Sequence, residues 1–360
     1  MRKEVALSYF TKMTYKRYSQ LAGAFSSWDE IREAQFNNIK DVGWTDENLI
    51  NQFLLWKDEL DEEKINKILT QEQITCVTQD DKNYPDSLKQ IYDPPFCLFV
   101  RGELKPDDFC LAVVGTRKYS TYGKQITEEL VSGLTNAGIT VVSGLALGID
   151  GFAHSTTLQN QGRTVAILGS GIDKQHIYPS AHKTLANKII ESGGAVISEY
   201  PPGAIPSRFT FPRRNRIIAG MSLGVLVTEA GEISGALITA QYALDNNREV
   251  FTVPHNITSQ TGIGPNNLLK FGAHLVTNIE DIIEVLNLQD LKLYVTNKEI
   301  IPDSPIEAKL LEILSREPVH VDNLIKNSNL DSATVNSTLT LMEMKGKIKN
   351  LGGMKYILTR

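Results

Sequence analysis

The sequence predicts an α/β fold with a doubly wound parallel sheet, and three observations carry that prediction. Between Phe109 and about Leu286, short runs rich in β-branched residues alternate with longer helical stretches. The short runs are apolar throughout, the pattern of strands covered on both faces. Each is followed by glycine or polar residues, as expected where a strand turns into a helix.

In order, the strands are FCLAVVG, ITVVSG, RTVAILGSG, GAVISE, LGVLVTE and EVFTVP. The helices between them are YGKQITEELVSGLTNA, DGFAHSTTLQNQ, AHKTLANKIIES, FPRRNRIIAGM and SGALITAQYALDNN. Ligands of such sheets bind at the C-terminal strand ends, near the point where the strand order reverses. The loops after Val114, Val142, Leu168, Ser198 and Thr228 are therefore expected around one crevice.

Two flanking regions differ in pattern. Residues 1 to about 75 read as helices: LSYFTKMTYKRYSQLAGAF, WDEIREAQFNNI and TDENLINQFLLWKDELDEEKINKIL. The charge run Asp58–Glu63 reads as a solvated helix face. The following DDKNYPDSLKQIYDPPFCLFVRGEL, rich in turn residues, reads as a connecting segment that leads into the sheet. After a linker near NKEIIPDSP, residues 305–360 read as three helices and a hairpin with a Gly-Gly turn, a winged-helix-like module.

Bulk composition narrows the function classes. A chain of 360 residues, 41% apolar and 22% charged, has the composition of a soluble protein of two or three domains. It has no apolar run of about 18 residues, so no membrane span is expected. Cys76, Cys97 and Cys110 form neither a metal-ligand spacing nor an even disulfide set, which points to a reducing cytoplasm. The net charge of −5 argues against coating nucleic acid by overall charge, yet it leaves room for a local basic groove.

That groove is expected at the strand ends. Gly115-Thr116-Arg117 sits between a strand and a helix N-terminus whose amides attract anions. Arg117 adds a planar fork suited to phosphate, although an arginine paired with a surface carboxylate reads equally well. Ser143-Gly144 and Gly169-Ser170-Gly171 continue the series, with Lys174 and Lys183 close behind. The sharpest stretch is Ser207–Arg216, with four arginines and two phenylalanines. Arg213 and Arg216 share a helix face, and Arg214 points about a third of a turn away. Arginines on a phosphate track beside aromatic rings suit single-stranded nucleic acid. The alternative is that Phe209 and Phe211 are core and the arginines pair with Glu199 and Glu229.

Catalytic chemistry is not evident. Asp150 and His154, and Asp173 and His176, are loose pairs that lack a third ligand at a suitable spacing. Asp150 and His154 read more simply as a helix N-terminal carboxylate and a partly buried core histidine. There is no nucleophile elbow, phosphate-loop lysine motif or dinucleotide fingerprint. Neither a catalytic group, a metal nor a cofactor is expected.

Ordered motifs over nearly the whole chain resemble one family. Tyr84–Leu88, Asp93–Pro95, LFVRG, VVGTR, VVSGLALGIDGFAH, GSGIDKQHIYP, SEYPPG, FPRRNRIIAG and SGALITAQYAL are similar to the DNA-processing protein A (DprA/Smf) family. The resemblance implies a dimeric recombination mediator that binds single-stranded DNA and loads RecA in natural transformation. Single-strand binding protein is a further implied partner.

It also implies a SAM-like helical domain (1–80), an extended Rossmann-like domain (81–290, with 81–108 as lead-in) and a winged-helix-like domain (303–360). By position it assigns DNA contacts to Gly115, Thr116, Arg117, Ser143 and Gly144. To these it adds Phe211, Arg213, Arg214, Asn215, Arg216, Ser234 and Gly235. Two departures stand out. Ser180 replaces a family lysine, leaving Lys174 or Lys183 to substitute, and His255 replaces the glycine of a Val-Pro-Gly turn.

The dimer surface is expected at LLKFGAHLV, residues 268–276. Two rivals remain. A Rossmann-type nucleoside monophosphate phosphoribohydrolase would need a Pro-Gly-Gly-x-Gly-Thr-x-x-Glu loop, whereas this chain reads Thr228–Ala236 there. A winged-helix regulator would need a base-reading helix, whereas SATVNSTLTLMEMK has no arginine and its basic residues follow from Lys345 onward.

Overall fold

A computed structural model of the chain describes residues 1–287, 302–314, 319–328, 330–345 and 347–358. The chain divides into two units, Met1–Val295 and Thr296–Arg360. Most of the expected linker, and Arg360 of the basic tail, lie outside the described residues.

All six strands read from the sequence form. They are β3 (Cys110–Val114), β4 (Thr140–Ser143), β5 (Thr164–Ile167), β6 (Ala195–Ser198), β7 (Gly224–Val227) and β8 (Glu249–Thr252). Two preceding strands, β1 (Thr75–Thr78) and β2 (Cys97–Gly102), and the short β9 (His274–Leu275) complete a sheet ordered β1-β2-β6-β5-β4-β3-β7-β8-β9. The sheet is parallel from β6 to β9, but β2 runs antiparallel to both β1 and β6. The doubly wound parallel sheet read from the sequence is thus present, and part of the segment read as a connection adds an antiparallel strand to its edge.

Both faces of the sheet are covered. In β3, Leu111 and Val113 pack with Leu130, Leu134 and Ile149, while Ala112 and Val114 pack with Ile217, Ile218 and Ala240. Alternate residues of one strand thus enter two different cores, which is why the run carries no polar residue. The helices Thr121–Asn136 and Ile149–Gln159 cover one face, and Thr210–Met221 and Gly235–Asp245 the other. The chain moves from β3 to β4 on one side and from β7 to β8 on the other, so the strand order reverses between β3 and β7. The loops leaving these two strands bound the crevice.

At the N-terminus each of the three expected helical stretches is two helices. Lys3–Ser8 precedes Tyr15–Ala24, Trp28–Glu33 precedes Phe36–Asp41, and Glu47–Glu59 precedes Glu62–Gln71. Side-chain caps mark the restarts: Thr14 accepts from the Arg17 amide and Asp61 from the Lys64 amide. The charge run Asp58–Glu63 therefore spans a helix break. Trp28, Ile31, Ile39, Ile50 and Phe53 form the buried centre of this region.

The second unit contains helices Pro305–Ile313, Val321–Ser328 and Ser332–Met344. Its sheet joins β10 (Val319–His320), β11 (Ile348–Asn350) and β12 (Lys355–Leu358) in the order β10-β12-β11. Gly352 and Gly353, at φ +88° and +59°, make the hairpin turn that a side chain would resist.

Candidate functional site

The crevice loops interlock through backbone contacts. The Thr116 amide donates to the carbonyl of Glu229 over 2.7 Å, joining the loops after β3 and β7. The Ile149 amide donates to the Thr116 carbonyl over 3.2 Å, joining the loop after β4. Gly148 stands at φ +81°, where a Cβ would come within 2.4 Å of that same carbonyl. Glycine is required here for close backbone approach. Ser143 is fully buried and donates to the Val113 carbonyl over 2.6 Å, so its hydroxyl faces the sheet and not the crevice.

The loop projects Arg117 outward. Its side chain is exposed, and among the described residues no carboxylate pairs with it. Its guanidinium lies over the ring of Phe211, 5.7 Å from the centroid. That ring also meets Tyr178, at 5.5 Å between centroids, and Tyr178 is itself 44% exposed. An unpaired cation and two accessible aromatic faces therefore stand together at the strand ends. Sequence reasoning named Arg117 and Phe211 but not Tyr178; its place one residue before Pro179 gave no sign of a neighbour 33 residues away.

The arginine run separates into three environments. Arg213 is about half exposed, 3.8 Å from Glu199 and 3.9 Å from Asp93. Arg216 is buried and held by Glu199 at 2.6 Å and Asp93 at 3.3 Å. Arg214 is buried as well. It donates to the carbonyls of Gly144 and Ile167, and Asp150 stands near it. Burial pushes the Arg214 guanidinium down to about 10, against the attraction of Asp150. Of the three, only Arg213 presents its charge to solvent. Phe209 is 71% exposed with Arg208 stacked on it, so it is not core.

Other expected residues take mixed positions. Lys174 is exposed, whereas Lys183 donates to the Gln175 carbonyl over 3.1 Å. Ser234 caps the Gly235–Asp245 helix, and Asn215 Nδ2 donates to the Gly235 carbonyl over 3.1 Å, which joins two helices. His255, at the departure from Val-Pro-Gly, bonds through Nε2 to the Thr228 carbonyl oxygen over 2.7 Å.

The acidic groups and imidazoles here make structural hydrogen bonds, although His154 Nε2 is buried without a partner. Glu229 is fully buried; Oε2 accepts from the Ser120 amide over 2.8 Å and Oε1 from Thr261 Oγ1 over 2.5 Å. A carboxylate so enclosed caps a helix start. Asp150 accepts from the Gly144 amide over 3.1 Å, and burial raises its carboxyl above the ordinary range. His154 is wholly buried, bonded through Nδ1 to Thr164 Oγ1 at 2.7 Å, and burial pushes its imidazole down to about 3. Asp173 holds His176 at 2.5 Å and also accepts from the Gly203 amide. Among the described residues no group of histidine, cysteine and carboxylate side chains is placed to hold a metal. No described helix is long and apolar enough to cross a membrane.

In the second unit, two of the tail lysines are paired. Lys345 reaches Asp303 at 2.8 Å and Glu307 at 3.1 Å, and Lys347 reaches the same two acids. These acids precede the lysines by about forty residues, so a local reading of charge could not find them.

Comparison with known proteins agrees with this architecture. Residues 75–287 match the family model of DNA recombination-mediator protein A, and residues 297–354 match the DprA winged helix domain. The Smf protein of Escherichia coli K12 is 46% identical over 214 residues, covering 59% of this chain and 56% of that protein. The matched segment thus spans little more than half of that relative. The DNA processing protein DprA of Bacillus subtilis is 41% identical over 215 residues, covering 59% of this chain and 71% of that one. Among solved structures, DprA of Streptococcus pneumoniae superposes with a TM-score of 0.66 at 34% identity, covering 78% of this chain and 95% of that one. DNA processing protein A of Helicobacter pylori, whose structure concerns its single-stranded DNA binding mode, gives 0.54 at 29% identity over 61% and 97% of the two chains.

Proposed function

Because the chain belongs to the DNA recombination-mediator protein A family, we propose that it binds single-stranded DNA across the C-terminal ends of β3, β4 and β5 and delivers RecA to it. The observation that carries this reading is the exposed Arg117, unpaired among the described residues and stacked on Phe211. A guanidinium without a protein partner binds phosphate strongly, and an adjacent π-face accepts any base. Arg213 and Lys174 extend the positive strip, and the amides of the glycine loops approach the strand closely. Arg214, Arg216, Ser143, Asn215 and Ser234 act from beneath, by fixing the loops and helices that present the contacts. The H. pylori relative's single-stranded DNA binding supports the same ligand here.

The remaining parts of the proposal follow the family resemblance. The protein works in the cytoplasm during natural transformation and recombination, as a dimer through the Rossmann-like domain. It acts on strands that single-strand binding protein also covers. Phe271, at 87% exposure, and Leu275, at 51%, make the 268–276 stretch the proposed dimer surface. DNA leaves unchanged, since Glu229 is enclosed and the Asp150 and His154 side chains are buried. Domain limits of 1–80, 81–290 and 303–360 complete the proposal.

The test compares single- and double-stranded oligonucleotides across a salt series. Single strands should bind more tightly, with log affinity falling by about 0.7 per phosphate contact for each decade of salt. A duplex preference, or an affinity indifferent to salt, would refute the reading. RecA filament formation on strands precoated with single-strand binding protein then tests delivery; no acceleration despite normal DNA binding would remove RecA from it.

A further inference from the structure

The helices that bear Phe152 and Phe211, Ile149–Gln159 and Thr210–Met221, cover opposite faces of the sheet. The Gly115–Arg117 loop touches both of them. Its Thr116 carbonyl accepts from the Ile149 amide, and its Arg117 lies over the Phe211 ring.

Just past Arg117 the chain carries a second aromatic pair. The Tyr119 ring meets Phe152 edge to face, with 4.6 Å between centroids and 89° between planes, yet Tyr119 stays 47% exposed. Such a contact fixes the orientation of an exposed ring. Cations stand around the pair. Lys124 Nζ lies 5.3 Å from the centre of the Phe152 ring. Its ion pair with Glu128 is 3.7 Å long between half-exposed side chains, which leaves most of its charge open to another anion. Lys118 is exposed, and among the described residues no carboxylate pairs with it. The first turn of the helix Thr121–Asn136 holds no acid, and Glu128 and Glu129 come only further along. Tyr122, by contrast, is bonded into the loop after β8, where its hydroxyl donates to the Pro254 carbonyl over 3.1 Å.

We infer that Tyr119, braced by Phe152, is a second base-stacking site for a single strand that crosses the strand ends from the Phe211 side, an inference that rests on the single-stranded DNA reading above. The phosphate held by Arg117 is the pivot of this path. Two residues of chain span at most about 7 Å, so the next base along reaches Tyr119. An exposed ring stacks on any unpaired base, in keeping with binding that ignores sequence. Lys118 and Lys124 meet the phosphates on this side. Glu128 and Glu129 repel a strand that would run on along the helix, so the footprint ends near Tyr119.

The test uses the full chain and thymidine oligomers no longer than its footprint, so that they bind in one register. Each carries one 2-aminopurine, whose emission falls on stacking, at successive positions. The parent should quench two positions, one for each aromatic pair. Tyr119→Ala should lose one of them, keep the other, and bind about fivefold more weakly or worse, the loss of one base stack. Tyr119→Phe keeps the ring and should match the parent. Unchanged quenching and affinity in Tyr119→Ala, or an equal loss in Tyr119→Phe, would overturn the second site while leaving DNA binding intact. A parent that binds none of the oligomers would overturn the DNA reading itself.

Discussion

Arg214 Nη1 lies 2.7 Å from the carbonyl oxygen of Gly144, and a Cβ on that glycine would sit 2.5 Å from the same guanidinium. One arginine thus fastens the loop after β4 to the helix that carries Phe211. Arg214 also donates to the carbonyl of Ile167, so it ties the ends of β4 and β5 together beneath the crevice.

Removing that cation should cost stability before it costs binding. Arg214→Met leaves the buried carbonyls of Gly144 and Ile167 without that donor, a loss of about 1–3 kcal/mol for each unsatisfied group. Chemical denaturation of parent and variant measures it. A midpoint unchanged from the parent would show that these hydrogen bonds contribute nothing.

Arg117→Ala should do the reverse. The side chain is exposed and its guanidinium rests on the Phe211 ring, so the melting temperature should stay within about a degree or two. Affinity for single strands should fall about tenfold or more, the worth of one charge-assisted phosphate contact. Fluorescence anisotropy with a labelled oligonucleotide reads the change; parental affinity in a folded variant would make the Gly-Thr-Arg turn purely structural.

Acid should destabilise the protein through His154. Its folded pKa of about 3 lies below the ordinary value near 6.5 for an unfolded chain. The resulting stability is full above pH 6.5 and is lost as pH falls toward 3, because the unfolded chain takes up a proton that the folded chain refuses. The slope approaches about 1.4 kcal/mol per pH unit. Asp150 is shifted upward by burial and works in the opposite sense, so the difference between parent and His154→Gln isolates the imidazole. Urea midpoints between pH 7 and pH 4 should converge for the two proteins; parallel curves would contradict the assignment.

The paired lysines of the second unit should matter little for DNA. Lys345→Ala should change single-strand affinity by less than about twofold, as its charge is already met by Asp303 and Glu307. A loss as large as that of Arg117→Ala would assign a main contact to the second unit.

The six central strands were legible because burial on both faces leaves no polar position in a run such as Cys110–Val114. β1 and β2 were not, since Thr75–Thr78 is short and polar and Cys97–Gly102 follows a proline pair that reads as a turn. The helix breaks at Thr14 and Asp61 were hidden by continuous polar and apolar alternation without proline or glycine. In the site, spacing on a helix correctly separated Arg214 from Arg213 and Arg216. It could not tell which arginine faces water, because Asp93, Asp150 and Glu199 reach the run from three other loops and helices.

β1 covers the outer edge of β2, and Arg2 is bonded to Thr78 Oγ1 at 2.8 Å and to Asp81 at 3.0 Å. The helical region and the sheet are therefore stitched together by a strand that belongs to both. Cutting the chain near residue 80 would strip this cover and bare the donors and acceptors of β2, whose Cys97–Val100 side chains are buried. Open apolar edges pair with other chains. A shortened protein would then fail by aggregating, with its central fold still formed, and a soluble version would need its cut placed before Thr75.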